Sequence, residues 1–228
     1  MLMEESKPLY SFMVGNFTID ITKELVIQWI IMLIIILLAF WATKGMKKRP
    51  NKKQTVVEVL YNAIKGVVVQ NMGEKYVGFI PYIGTLAIFI LLLNLTGLIG
   101  VAPPTENYSV TLGLALMTFV VVQAYAIKTI GIKHYFLGLG QPFAAMLPLN
   151  IMERIMLPVS LSLRLFGNIM AATVLIELVY QALGSLSFFA QIGIPIFLHA
   201  YFDIFDGVIQ MVIFVMLTMI NIKIVAEH

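Results

Sequence analysis

The sequence predicts an all-α integral membrane protein with about five transmembrane helices and one amphipathic interfacial helix, the last two spans long and strongly tilted. Three observations predict it. The chain is 60% hydrophobic and only 12% charged, with a mean hydropathy of +0.94, where a soluble domain carries about 25% charged residues. Its apolar runs are long enough to cross a hydrocarbon layer of about 30 Å. Its basic residues are gathered rather than spread: "KGMKKRPNKK", from Lys44 to Lys53, holds six of the 15 Lys and Arg. At 228 residues there is room for five or six spans and no separate soluble domain, so residues 1–228 read as a single membrane domain.

Each element follows in order. Residues 1–24 form an N-terminal segment with Glu4, Glu5 and Asp20; no basic stretch stands before an apolar core there, so a cleaved signal peptide is not expected. Residues 25–42 are the first span. The basic cluster follows it at once, which puts that end on the cytoplasmic side and the N-terminus outside. Residues 54–76 are apolar but interrupted by Glu58, Lys65, Glu74 and Lys75, as in an amphipathic helix lying at the inner surface. Residues 77–127 hold two spans, Val77–Val101 and Ser109–Ile127, joined by the Pro-rich "APPTENYS", which carries no Lys or Arg and suits the outer face. Lys128, Lys133 and His134 mark a cytoplasmic loop.

Residues 151–226 are a pair of long apolar stretches, Ile151–Leu183 and Gly193–Val225, separated by "GSLSFFAQI". Each would be about 50 Å long as a helix. To fit a layer of about 30 Å, such a helix slants roughly 50° from the normal or runs on past the membrane. Five crossings leave the C-terminus inside, where Lys223 fits.

This pair carries the intramembrane charges. At 100° per residue from Arg164, residues Glu153, Ser160, Gly167, Asn168 and Ala171 fall at about −20°, −40°, −60°, 40° and −20°. One face thus sets a permanent cation among small residues, which allow close approach of a partner helix. Thr173 and Glu177 fall at about 180° and 220°, on the opposite side. In the last helix His199, Asp203, Asp206 and Gln210 recur at α-helical spacing as one narrow stripe. A plain alternative exists for each: Arg164 could pair with a carboxylate to orient two helices, Asp206 could reach a headgroup, and His199 could be a satisfied polar residue near the outer surface. Against this, insertion scales put an Arg at a helix centre at about 2.5–3.5 kcal/mol, which makes it a marker of an ion path or functional site.

Several classes of function drop out. There is no cysteine, hence no thiolate metal site or cysteine nucleophile, and no metal or cofactor is expected. The three histidines are scattered and no HExxH occurs, which argues against a metalloprotease. The net charge of +3 comes mainly from one cluster, a poor match to nucleic-acid binding. A voltage sensor needs several spaced arginines, where this span has one; a stand-alone secondary transporter, which commonly carries an inverted repeat that this sequence does not show, stays as the lesser alternative.

"SLSLRLFGNIMA", residues 160–171, closely resembles the signature of subunit a of F-type ATP synthases. So do "FILLLNLTGLIG" with "VAPPTENYSVTLGLAL", "LPLNIMERI" and "FDGVIQMVIFVMLTMINI", so that the resemblance runs from about residue 75 to the end. It implies a non-catalytic, ion-translocating subunit of the cell inner (plasma) membrane, set beside a rotating c-subunit ring and held with a b-subunit stalk and the remaining F0F1 subunits in the lipid bilayer. Arg164 matches the family's essential arginine, Asn168 the asparagine one turn on, and Gln210 the glutamine of the last helix. Asp203 stands where relatives carry an acidic residue or histidine. Many bacterial relatives have Glu nine residues after the arginine, where this chain has Thr173; Glu177, one turn further, is the expected substitute. The implied mechanism has two offset half-channels. Thr173, Glu177 and Asp203 line the outer one, while Glu153 and Ser160 border the cytoplasmic one. Proton is the expected coupling ion, with sodium as the alternative.

Overall fold

The computed structural model describes residues 9–14, 17–47, 51–138, 146–184 and 197–227. Five of its helices are long and apolar enough to cross a membrane: Lys23–Thr43, Glu74–Ile99, Tyr108–Ile130, Leu147–Gly184 and Phe197–Ala226. The chain is an all-α integral membrane protein with no sheet body. "GSLSFFAQI" lies outside the described residues apart from Gly184.

The N-terminal segment adds a feature that the sequence reading left out. Strands β1 (Tyr10–Val14) and β2 (Phe17–Ile21) pair antiparallel, Tyr10 opposite Ile21 and Val14 opposite Phe17. Helix α1 (Lys23–Thr43) follows, and of its residues Ile31 alone is buried. At its far end the Lys53 ammonium lies 3.9 Å from the Trp41 ring centroid and donates to the Trp41 carbonyl. Gln54 bridges the backbone of Lys47 and the carboxylate of Glu58. These contacts turn the corner into α2 (Lys52–Met72), which buries Val68 and Met72 and leaves Val56, Val59 and Leu60 exposed. It ends at Gly73, whose φ of 103° suits a residue without a Cβ.

A 3-10 turn (Glu74–Phe79) leads into α3 (Ile80–Asn94), with Pro81 in its first turn, where a missing N–H costs nothing. A second 3-10 turn, Leu95–Ile99, and a third, Pro104–Glu106, make the connection to α4 (Tyr108–Ile130). Asn107 caps α4, its side chain accepting from Ser109 N at 3.0 Å. The expected loop after α4 contains a short helix, α5 (Ile132–Gly138), which carries Lys133 and His134. Helix α6 (Leu147–Gly184) runs for 38 residues, longer than the sequence suggested. The last span is helical from Phe197, takes the form of a π-helix over Ala200–Asp206 and continues as α7 (Gly207–Glu227).

The core is the packing of α3, α4 and α7, with Ile83, Ile90 and Leu93 from α3, Leu114, Ala115 and Val122 from α4, and Phe214, Met219 and Ile222 from α7. Helix α6 lies mainly against α4 and touches α7 only lightly. Its buried residues Leu161, Leu165, Ile169, Ala172 and Ile176 fall between about 60° and 140° from Arg164 at 100° per residue. Arg164 and Thr173 therefore flank the buried stripe on opposite sides, an arrangement that decides what each can meet.

Candidate functional site

At the end of the bundle that carries the Pro-rich turn, a cavity of about 220 Å³ opens between the 3-10 turns, α6 and the π-helix. Thr173 and Ile176 of α6, Asn94 and Gly97, Pro103 and Glu106, and His199 and Asp203 line it. The π-helix changes which side chains of the last span share the cavity. An i→i+5 segment turns less per residue than an α-helix, so the α-helical stripe expected for His199, Asp203, Asp206 and Gln210 does not hold across 200–206. His199 and Asp203 share the cavity, whereas Asp206 is not among its lining residues and Gln210 is buried in α7 at 4% exposure. Nδ1 of His199 lies 3.2 Å from Oδ2 of Asp203, within hydrogen-bond distance.

Two packing details hold this arrangement. A Cβ on Gly97 would lie 2.9 Å from Asp203 Cγ, so the carboxylate uses the space that a side chain would fill. Asn94, 1% exposed, donates from Nδ2 to the Gly207 carbonyl at 3.1 Å and accepts from Thr105 Oγ1 at 3.3 Å. It thus ties α3, the Pro104–Glu106 turn and the start of α7 together in the buried interior, where an unpaired amide would be costly. On the α6 side the Thr173 hydroxyl donates to the Ile169 carbonyl at 3.0 Å.

Glu106 is the cavity's second carboxylate, and sequence reasoning passed it over. Burial raises its carboxyl above the ordinary range, and the negative charges of Glu24 and then Glu177 raise it further. Glu24 stands in the first turn of α1 with one oxygen, Oε2, buried and unbonded. Glu177 is exposed, faces Gln181 Nε2 at 3.5 Å, and does not line the cavity. With Asp203, four carboxylates from four elements thus gather at this end.

The other flank of α6 is built differently. Ser160, Gly167 and Ala171 are exposed, and Arg164 is half-buried beside them. No hydrogen bond or ion pair within the chain joins Arg164 to Asn168, Gln210 or any described carboxylate. Glu153, toward the opposite end, is exposed. Next to it the Arg154 guanidinium stacks 4.3 Å above the Tyr135 ring, and the Tyr135 hydroxyl donates to Gln123 Oε1. Among the described residues no group of three His, Asp or Glu could hold a metal ion.

Five membrane-length helices, a cavity between them that carries two carboxylates and, on the other flank of α6, a guanidinium without a counter-charge among the described residues mark a multi-pass membrane protein with the charges of an ion path. The model of the ATP synthase A chain family matches residues 25–223. The chain is 33% identical to the sodium ion specific ATP synthase subunit a of Propionigenium modestum, over 92% of this chain and 75% of that protein. It is 35% identical to ATP synthase subunit a of Staphylococcus carnosus, over 86% and 87% of the two chains, and 33% identical to that of a Listeria monocytogenes strain, over 99% and 100%. The chain belongs to the ATP synthase subunit a family. It serves as the ion-channel subunit of an F-type ATP synthase, a component of a rotary ATPase complex with the other F0F1 subunits.

Proposed function

We propose that the cavity lined by Thr173, Glu106 and Asp203 is the outer half-channel, and that Arg164 faces the carboxylates of a c-subunit ring. The carrying observation is the division of α6: Arg164 stands on one flank without a counter-charge among the described residues, and the cavity opens on the other. A cation enters the cavity from outside, passes to a ring carboxylate, travels with the ring and leaves past Ser160 and Glu153 to the cytoplasm. Arg164 keeps the two paths apart, because its fixed charge repels a cation moving straight across. It also draws each arriving carboxylate toward its ionised form, since an opposite charge nearby lowers a carboxyl pKa by about 1–3 units. A guanidinium suits this task because it holds its charge where an ammonium is readily shifted. A direct leak would dissipate about 2.3 kcal/mol per charge per 100 mV.

In this reading Asn168 and Gln210 shape the surroundings of Arg164, Glu177 draws cations to the outer mouth, and Asp206 borders the path beyond Asp203. The subunit performs no bond chemistry itself. It sits in the cell inner (plasma) membrane with its N-terminus outside and its C-terminus cytoplasmic, beside the c-ring and a b-subunit stalk. Proton is the coupling ion; sodium is the second reading, favoured by the sodium-specific relative from Propionigenium modestum.

The chain has no cysteine, so single thiols can be placed in the assembled complex. A small cationic thiol reagent added outside is expected to reach Thr173→Cys, Glu177→Cys and Asp203→Cys, and the same reagent on the cytoplasmic face to reach Glu153→Cys and Ser160→Cys. Reaction of both groups from one side would overturn the placement.

A further inference from the structure

The geometry points to Glu106 as an ion-relay residue of this chain: it takes the coupling cation at the outer mouth and hands it across the cavity to Asp203. This rests on the reading of the cavity as the outer half-channel.

The inference starts from what α6 lacks. Thr173 lines the cavity, but its hydroxyl is engaged with the Ile169 carbonyl and has no charge to exchange. Glu177 is exposed and outside the lining. The carboxylate that shares the cavity with Asp203 comes instead from the turn between α3 and α4. That turn is fixed rather than free: Pro104 and Thr105 are buried, and Thr105 is bonded to Asn94, which also holds Gly207 at the end of the π-helix. Glu106 and Asp203 are therefore set on one framework and line one cavity.

The space between suits a relay. About 220 Å³ accommodates a short file of water molecules, each needing about 30 Å³. In the proton form of the step, a proton from the outer solution binds a Glu106 carboxylate oxygen, leaves it for cavity water, and arrives at Asp203 while Glu106 returns to its anion. A sodium ion would be held by the same oxygens. The charges around Glu106 favour loading: Glu24 from α1 and Glu177 from α6 add negative potential there, and the His199 ring stands beside the receiving Asp203. The same charges, with burial, hold the Glu106 proton to a higher pH than an ordinary carboxyl keeps it, nearer the range in which a relay both gains and loses it.

The test uses vesicles carrying the whole ATP synthase complex. Glu106→Gln is expected to lower ion-driven ATP synthesis at least about tenfold and to flatten its dependence on outer pH, with Glu106→Asp restoring both. In the unaltered complex a carbodiimide, which attacks protonated carboxyls, is expected to modify Glu106 at neutral pH, and less as pH rises. Wild-type rates and pH dependence in Glu106→Gln, alongside a clear loss in Asp203→Asn, would overturn the relay and leave the half-channel reading intact. Wild-type rates in both would overturn that reading itself. Equal loss in Glu106→Gln and Glu106→Asp, or no adduct at Glu106, would also overturn the relay.

Discussion

The Asp203 carboxylate occupies the space that Gly97 leaves open, with Cγ and Oδ1 each 2.9 Å from where a Cβ on Gly97 would stand. The two residues lie 106 positions apart in sequence, on a 3-10 turn and a π-helix. Gly97→Ala must therefore displace the carboxylate or the turn. Misplacement of a reacting group by about 1 Å costs up to about a hundredfold in rate, and a fall in ion-driven ATP synthesis of at least tenfold is expected. Gly113→Ala, where a Cβ meets nothing within 4 Å, is the control expected to stay at the wild-type rate.

Asn94→Ala removes two buried hydrogen bonds, to the Gly207 carbonyl and from the Thr105 hydroxyl, and leaves that hydroxyl without its acceptor. Each buried polar group left unsatisfied costs about 1–3 kcal/mol. The thermal midpoint of the purified complex in detergent is expected to fall, and with it the Thr173→Cys and Asp203→Cys positions should lose their sided accessibility.

Arg164→Ala is expected to give an assembled complex without coupled transport, and Arg164→Lys to restore little, because an ammonium lacks the fixed, delocalised charge of a guanidinium. Gln210→Leu should impair coupling less. ATP-driven ion pumping into vesicles reads all three, and normal pumping in Arg164→Ala would remove the basis of the mechanism.

Glu177→Gln tests the charge coupling at the mouth. Glu177 is one of two carboxylates that push the Glu106 carboxyl upward. With that charge gone, Glu106 gives up its proton at lower pH. The outer-pH profile of ATP synthesis should shift to the acid side, with burial remaining as the larger cause that holds the Glu106 proton. A shift to the alkaline side would contradict the sign.

Spans and their order were legible because an apolar run of membrane length has few other physical uses. Arg164 was singled out for the converse reason, the cost of a charge in such a run. The hairpin was written in the sequence too, as two five-residue runs around Gly15 and Asn16, a recognised hairpin signal that went unread beside the stronger span pattern. The π-helix was not legible: periodicity arguments assume 3.6 residues per turn, and nothing in "AYFDIFD" announces a wider one. Glu106 was passed over because it sits in a turn, where a carboxylate looks solvated. Its place in the cavity follows from Asn94 and Thr105, a contact between distant parts of the chain that local pattern does not reveal.

The π-helix at Ala200–Asp206 also bears on how relatives are to be aligned. A stretch of i→i+5 bonding is what a single inserted residue leaves in an α-helix when the flanking turns keep their packing. A relative lacking that residue would carry its acidic or imidazole group about 100° further round the helix axis unless a second change compensated. Counting back from the glutamine of the last helix then finds the same sequence position on a different wall. Gaps placed by similarity alone across these seven residues thus change which side chain is taken to face the ion, and backbone bonding, rather than residue number, is the measure of equivalence there.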